Sequence, residues 1–308
     1  MKPWRCIIDV NTRYMITHYY HSGFSVSLED TLVVFDYWRG EENELTPERE
    51  LNERILSRYS HVYVFISHEH MDHMDPIVFT WKALPGISYI VSSDMPVGTR
   101  GKRMAPGDEL VLSDQVSVKA FDSTDLGVSF LVRLGDLAFF HAGDLNLWHW
   151  REESTIQEIE EAEEDFRKAV APLCQEHIDV AFFPLDPRQG TMFDAGANYF
   201  ILSVKPRILI PMHYFHRSDV AAEFARTASN RFTEVVAMPG YGESMAIETD
   251  EEGYLNLSFP DHATAQEDPD PSTSEDTPSL ETIYEEDPFI ESDLPLTQLA
   301  SPEEPEIP

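Results

Sequence analysis

Basic residues are scarce in this chain of 308 residues: 22 Lys and Arg stand against 56 Asp and Glu, a formal net charge of −34. The scarcity becomes absolute towards the end, where Arg231 is the last basic residue and the final 48 residues hold 15 acids. The other 260 residues still carry 41 acids against 22 bases. A surface of that sign repels phosphate backbones, which opposes nucleic acid as a partner. Cysteine is nearly missing as well. Cys6 and Cys174 make no C-x-x-C pair and no disulfide framework, which fits a reducing compartment. No apolar run approaches the roughly 20 residues of a membrane span. The opening MKPWRCIIDVNTRY is too polar for the apolar core of a secretory signal. The expectation is a soluble cytoplasmic protein with no membrane partner. Large apolar side chains are also few after residue 258, where 8 prolines fall within the last 48 residues. Such a composition does not repay the entropy of ordering, and 259–308 is expected to be a disordered acidic tail.

Against this background one stretch stands out, Ser67-His68-Glu69-His70-Met71-Asp72-His73. It follows Val62-Tyr63-Val64-Phe65-Ile66, an apolar, β-branched and aromatic run of the kind that forms a buried strand. Three imidazoles and a carboxylate therefore arrive where a core strand ends, and polar groups at such a place need partners. Imidazole with carboxylate is the ligand set of zinc, iron and manganese sites. In extended chain His68 and His70 lean to the same side. Asp72 and His73 lie past a turn and lean towards a second position about 3.5–4 Å away, the usual spacing of two-metal sites. Glu69 points away from both.

Elsewhere the pattern alternates between strand and helix, an α/β order. Strands are expected at 14–20, 24–29 and 31–37, then a helix over 46–59 opened by Thr46-Pro47. A second helix is expected over 75–84, with short strands at 88–92, 109–112 and 116–122. Gly135-Asp136 turns a hairpin within 127–144. Helices at 152–172, 195–204 and 219–229 separate strands at 180–183, 208–210 and 233–237, and the main domain is expected to span 14–258 after a short extension, 1–13. Four of the apolar strands end in residues of one chemical type: His68 to His73, Asp144, Asp186 and His213. Function in layered α/β folds collects where strand ends meet. A two-metal site needs a bridging carboxylate and a further imidazole, and Asp144 and His213 are of the right types.

The pattern H-x-H-x-D-H is the signature of the metallo-β-lactamase superfamily, which this chain resembles over about residues 14–248. The order His21-Ser22-Gly23-Phe24, Phe35-Asp36, H-x-H-x-D-H, His141-Ala142-Gly143-Asp144 and Pro211-Met212-His213-Tyr214 is similar to the branch containing ascorbate-6-phosphate lactonase-like proteins. The phrases 123–130 and 141–150 look like an uncharacterised bacterial subgroup of it. The resemblance implies a four-layer αββα sandwich of two mixed β-sheets with metals at one rim. It implies His68 and His70 on a first metal, Asp72, His73 and His213 on a second, and Asp144 bridging. Two divalent ions are implied, zinc first and manganese or iron as alternatives.

One departure matters. Relatives supply a third histidine to the first metal just before the hairpin, where this chain reads Ala120-Phe121-Asp122-Ser123-Thr124-Asp125. Asp122 or Asp125 takes that place, with Asp125 preferred, or the first site stays open. His141 is a candidate substitute for that ligand or, three residues before Asp144, a support of the ligands, and His21 and Asp186 read likewise as accessory residues that support the ligands or contact the substrate. Arg188, in Pro184-Leu185-Asp186-Pro187-Arg188, suits a carboxylate or phosphate, or else a salt bridge to Asp186. Trp148, His149 and Trp150 wall the cleft or pack together. The implied activity is hydrolysis by a metal-bound hydroxide, made available at neutral pH because the pKa of water falls from about 15.7 towards 7. Asp72 orients it or shuttles its proton. A lactone, ester or amide is the expected substrate; a phosphodiesterase or nuclease, and a non-hydrolytic metal-binding or redox protein, are the alternatives.

Overall fold

The computed structural model describes residues 12–41, 45–150 and 153–260. Almost all of the expected N-terminal extension, and the acidic tail from residue 261, lie outside the described residues. The chain opens with strands β1 (Arg13–His18), β2 (Phe24–Leu28), β3 (Thr31–Phe35), β4 (His61–Ile66), β5 (Ile87–Ser92) and β6 (Lys102–Met104). It continues with β7 (Glu109–Val111), β8 (Val116–Phe121), β9 (Ser129–Leu134), β10 (Leu137–His141), β11 (Val180–Pro184), β12 (Ile208–Met212) and β13 (Glu234–Val235). Two last strands, β14 (Glu243–Thr249) and β15 (Leu255–Ser258), return to the first group. The sheets have the orders β15-β14-β1-β2-β3-β4-β5-β6 and β13-β12-β11-β10-β9-β8-β7. Both are mixed: β3, β4, β5 and β6 run parallel, as do β10, β11, β12 and β13, and the other pairs are antiparallel. The α+β sandwich of two mixed sheets is thus the architecture observed.

Burial explains which runs became which strands. β3, β10, β11 and β12 are covered on both faces and are apolar throughout except for Thr31 and His141. Strand β1 alternates buried and more open positions, as a one-sided strand does. Between the sheets the two inner faces meet through aromatic rings. Phe24 stacks on Phe182 at 4.4 Å, and Phe65 meets Phe130 edge-on at 5.2 Å. Each buried phenyl is worth roughly 1.5–3 kcal/mol, and each ring pair about 0.5–1.5 kcal/mol more. Outside the first sheet, Val34, Val62, Val64, Trp81 and Tyr89 form a second cluster. Helices α1 (Glu53–Leu56), α2 (Ile156–Val170), α3 (Ala195–Ser203) and α4 (Ser218–Ala228) complete the layers. Among the described residues no helix is long and apolar enough to cross a membrane.

Three expectations fail. The helix expected over 46–59 is a single turn, α1, capped by the Asn52 side chain rather than by Thr46. Upstream, the Leu51 amide donates to the Tyr37 phenol at 3.0 Å instead of to a helical carbonyl, so a buried tertiary contact breaks the helix. The helix expected at 75–84 is a 3-10 helix, Pro76–Ala83, with the Asp75 side chain accepting from the Ile77 amide. Strands β6, β14 and β15 went unread, yet β14 pairs along all of β1 and extends the first sheet.

Candidate metal centre

The loops that follow β3, β4, β8, β10, β11 and β12, with the turn from β1 to β2, converge on one rim. They bring His68, His70, Asp125 and Asp144 into one group and His21, Asp72, His73 and His213 into another, the donor atoms within each lying inside 4.8 Å of one another. Asp144 faces both. Its Oδ2 lies 3.4 Å from His68 Nε2, while its Oδ1 lies 2.9 Å from His73 Nε2 and 3.3 Å from His213 Nε2. On the second side, His21 Nε2 is 3.4 Å and His213 Nε2 3.9 Å from Asp72 Oδ2. On the first, His70 Nδ1 is 3.0 Å from His68 Nε2 and 3.8 Å from Asp125 Oδ2. Donors about 2 Å from a common cation in a tetrahedron stand about 3.3 Å apart, so these separations suit the ion.

Protonation supports the same reading. Asp36, at the end of β3, is fully buried and accepts from the Ser67 amide at 2.8 Å, the Ser67 hydroxyl at 2.6 Å and His73 Nδ1 at 2.8 Å. Having given its proton to Asp36, Ser67 Oγ accepts from His68 Nδ1 at 2.9 Å. Each ring therefore holds its hydrogen on Nδ1 and turns a bare Nε2 lone pair to Asp144. A lone pair and a carboxylate oxygen 2.9 Å apart need positive charge between them, a proton or a cation. Burial opposes charge on His73, but Asp144 and Asp36 outweigh it and raise its pKa well above the ordinary value. Burial likewise opposes charge on Asp144, yet His73 and His213 hold its pKa well below the carboxylate range. His73 Nε2, Asp144 Oδ1 and both nitrogens of His21 are buried without a hydrogen-bond partner. The residues present fit a pair of metal ions.

The two groups differ in access. The side chains of His21, His73 and His213 are at most 2 % exposed, whereas those of His70 and Asp125 are 45 % and 41 % exposed. Backbone strain marks the closed side: His21, Asp36, His213 and Phe215 all have positive φ, from 41° to 65°, uncommon outside glycine. The His213 amide donates to the His21 carbonyl at 3.3 Å, tying the two loops. On the open side, Thr124 donates to the Asn146 carbonyl at 2.6 Å and accepts from its amide at 3.0 Å, fixing the loop that carries Asp125. Gly127 lets that loop lie on the motif, because a Cβ there would stand 1.9 Å from the Ser67 carbonyl oxygen.

Asp122 is exposed and lies in neither group, accepting instead from the Ser123 amide. Glu69 is exposed and also outside both. Both nitrogens of His141 are used, Nε2 donating to the Ser22 carbonyl at 2.8 Å and Nδ1 accepting from the Gly143 amide at 3.2 Å. Its ring stacks on Phe35 at 5.0 Å, so it supports the rim. Asp186 Oδ2 lies 3.2 Å from His213 Nδ1, and its carboxylate also holds Arg188. Trp148 donates to the Asp144 carbonyl at 2.9 Å, and its ring is edge-on to His213. The cleft over the centre has a volume of about 380 Å³ and is lined by His70, Asp125, Trp148, Trp150 and Arg188 among others. That is the size of a small-molecule site. The residue the sequence reading left without a role is Asp36, although a carboxylate closing an all-apolar strand was the signal.

A buried histidine behind the centre carries a pH dependence. His18 stacks on Phe24, donates through Nε2 to the His21 carbonyl at 3.3 Å and accepts at Nδ1 from the Tyr214 hydroxyl at 3.4 Å. Burial lowers its pKa to about 4, only partly opposed by the bond to His21. The unfolded chain takes up this proton below about pH 6.5 and the folded chain does not. Stability due to this group is therefore complete above about 6.5 and falls between there and about 4, by roughly 1.4 kcal/mol per pH unit. Urea midpoints of chelator-treated protein should drop from pH 7 to pH 5, and less steeply in His18→Gln. Equal slopes in the two proteins would show that His18 is not the group responsible.

No family profile and no curated protein matches the sequence. Solved structures do match in shape. A metallo hydrolase, Igni18, from Ignicoccus hospitalis is 19 % identical, with TM-score 0.56, over 77 % of this chain and 99 % of its own. A candidate metal-dependent hydrolase from Parabacteroides distasonis is 16 % identical, with TM-score 0.51, over 73 % and 93 %. The diiron β-hydroxylase CmlA from Streptomyces venezuelae is 12 % identical, with TM-score 0.50, over 80 % of this chain and 55 % of its own. At such identities the likeness is one of fold. The fold is the α+β sandwich with two mixed sheets that the resemblance to metallo-β-lactamases implied.

Proposed function

We propose that residues 14–258 form a metal-dependent hydrolase domain that cleaves small esters, lactones or amides, as the ascorbate-6-phosphate lactonase-like branch would imply. The observation that carries this reading is Asp144, whose two oxygens face two separate groups of bare donor atoms. His68, His70 and Asp125 would hold one divalent ion and His21, Asp72, His73 and His213 the other, with Asp144 shared. Ions bound there would lower the pKa of a water and polarise the oxygen of a scissile bond. Asp72 takes the proton-handling role. Burial would raise its pKa, but the adjacent imidazoles of His21, His73 and His213 hold it below the ordinary carboxylate value, so it is ionised at neutral pH. Its carboxylate is 27 % exposed, open to the cleft, and can accept a proton and pass it to a leaving group. A metallo hydrolase, Igni18, has a similar fold, which supports the general reading as a metal-dependent hydrolase.

A carboxylate at Asp125 in place of an imidazole makes the first group more anionic and favours manganese or iron beside zinc. This keeps open a non-hydrolytic reading, since a diiron hydroxylase shares the fold. Metal analysis of the purified full-length chain, with a panel of lactones, thioesters and phosphodiesters, separates the readings. The expected result is two equivalents of divalent metal and turnover of a carbonyl substrate. Asp125→Ala should lose one equivalent and keep the other. Two tightly held ions with no hydrolysis across the panel would overturn the hydrolase reading, and a variant retaining both at wild-type affinity would make Asp125 a turn residue only.

A further inference from the structure

The cleft has one basic side chain among its described lining residues, and it is unusually well fixed. Arg188 sits in the short 3-10 segment Pro187–Met192 that follows β11. Its Nε donates to Asp186 Oδ1 at 2.9 Å and to Oδ2 at 3.0 Å, and its Nη2 also donates to Oδ2. That uses the side edge of the guanidinium. On the end edge, formed by Nη1 and the second hydrogen of Nη2, Nη1 meets no protein acceptor among the described residues. Two aromatic faces hold the group, the Phe215 ring 4.8 Å and the Trp150 ring 5.9 Å from Cζ. The side chain is nevertheless 55 % exposed and lines the same cleft as Asp72, Asp144 and His213. Asp186 places it next to the centre, since that one carboxylate also lies 3.2 Å from His213 Nδ1.

An arginine needing only its counter-ion would bury against it or turn to bulk solvent. Here the counter-ion takes one edge, two rings hold the guanidinium in place, and the end edge keeps the parallel donors that suit a carboxylate. Ordering is already done by Asp186, Trp150 and Phe215, so little rotamer entropy remains to be lost on binding. The overall charge of the chain repels polyanions, which leaves a local attraction suited to a small anion. Trp148 and Trp150, stacked at 6.0 Å with planes 6° apart, give an apolar wall beside it.

We propose that Arg188 is a specificity-determining residue that selects substrates carrying a carboxylate near the bond to be cleaved. The proposal rests on the hydrolase reading for its reaction but not for its binding. The test is therefore made at both levels, with metal-loaded full-length protein. Phenyl acetate and the monophenyl ester of succinic acid differ in the carboxylate-bearing extension of the acyl group. Wild type should favour the succinate ester at least tenfold in kcat/KM, mainly through KM, and Arg188→Met should bring the ratio near one. Arg188→Lys keeps a charge opposite Asp186 but loses the fork, and should retain only part of the preference.

Binding is read separately with benzoate, followed by quenching of tryptophan fluorescence. Its Kd should rise about tenfold in Arg188→Met, and Arg188→Lys serves in its place if the first variant loses metal. A wild-type ratio near one, full preference in Arg188→Lys, or unchanged benzoate affinity in the arginine variants would overturn the proposal. Benzoate discrimination without turnover of either ester would leave the anion site standing and remove the hydrolase reading. Turnover without discrimination would do the reverse.

Discussion

On the proposed reading of a two-ion hydrolase, Asp144→Ala is expected to bring the metal content of the purified protein from two equivalents to below one and to cut hydrolysis on the order of 10³-fold. The size of the effect comes from geometry. No other carboxylate among the described residues turns one oxygen to His68 and the other to His73 and His213. Its loss removes a donor from both groups and leaves three imidazoles facing one another. Their rings are already close, His68 to His73 at 4.2 Å and His73 to His213 at 5.6 Å between centroids. Two cations with nothing anionic between them repel strongly in a site of low dielectric. Asp144→Asn is the sharper variant. It keeps the volume and one carbonyl oxygen, so it should retain one ion and lose the other. Metal analysis by mass spectrometry on dialysed protein reads both, and two equivalents retained in Asp144→Ala would remove the bridging role.

How far the sequence disclosed this centre depends on the range of the interactions. Runs such as Val62–Ile66 and Val180–Phe183 were legible as strands because burial on both faces makes them apolar without interruption. The polar residue closing each run was legible for the same reason, as a break in that pattern. Helix 46–59 was misread because its periodicity was real but a phenol 14 residues away captures the Leu51 amide. Strand β14 was passed over because Gly240 and Gly242 before it and its own mixed polarity gave a weak local signal; its pairing with β1 spans the whole domain. His21 was read as accessory. Only the close approach of the loops after β1 and β12, with ring centroids of His21 and His213 3.9 Å apart, brings it into the second group. In the same way Phe35-Asp36 was noticed as a phrase while its effect, exerted on residues 31 and 37 positions later, could not be read locally.

Asp36 should accordingly be the position where one substitution outside the donor groups damages both of them. Its carboxylate accepts the Ser67 amide, the Ser67 hydroxyl and His73 Nδ1, all buried. Burial alone would raise its pKa, but His141 and then His73 pull it below the ordinary value, so it is an anion at any working pH. That charge decides where protons sit. His73 keeps its hydrogen on Nδ1 because Asp36 accepts it, and His68 does so because Ser67, having donated to Asp36, can only accept. Asp36→Ala strands three buried donors, which should cost roughly 3–5 kcal/mol in a urea titration. Asp36→Asn keeps the shape but turns an amide N–H₂ towards one side of that cluster. Where it meets His73, the ring must carry its hydrogen on Nε2, aimed at Asp144, and cease to be a donor atom for metal. Outer partners of metal-bound histidines are typically worth 10–100-fold in affinity. Competition with a chromogenic chelator should therefore show both ions weakened by about that factor in Asp36→Asn, with a fold that survives. Were both ions held as in wild type, the tautomers of His68 and His73 would have to be set by the metals themselves and not by Asp36.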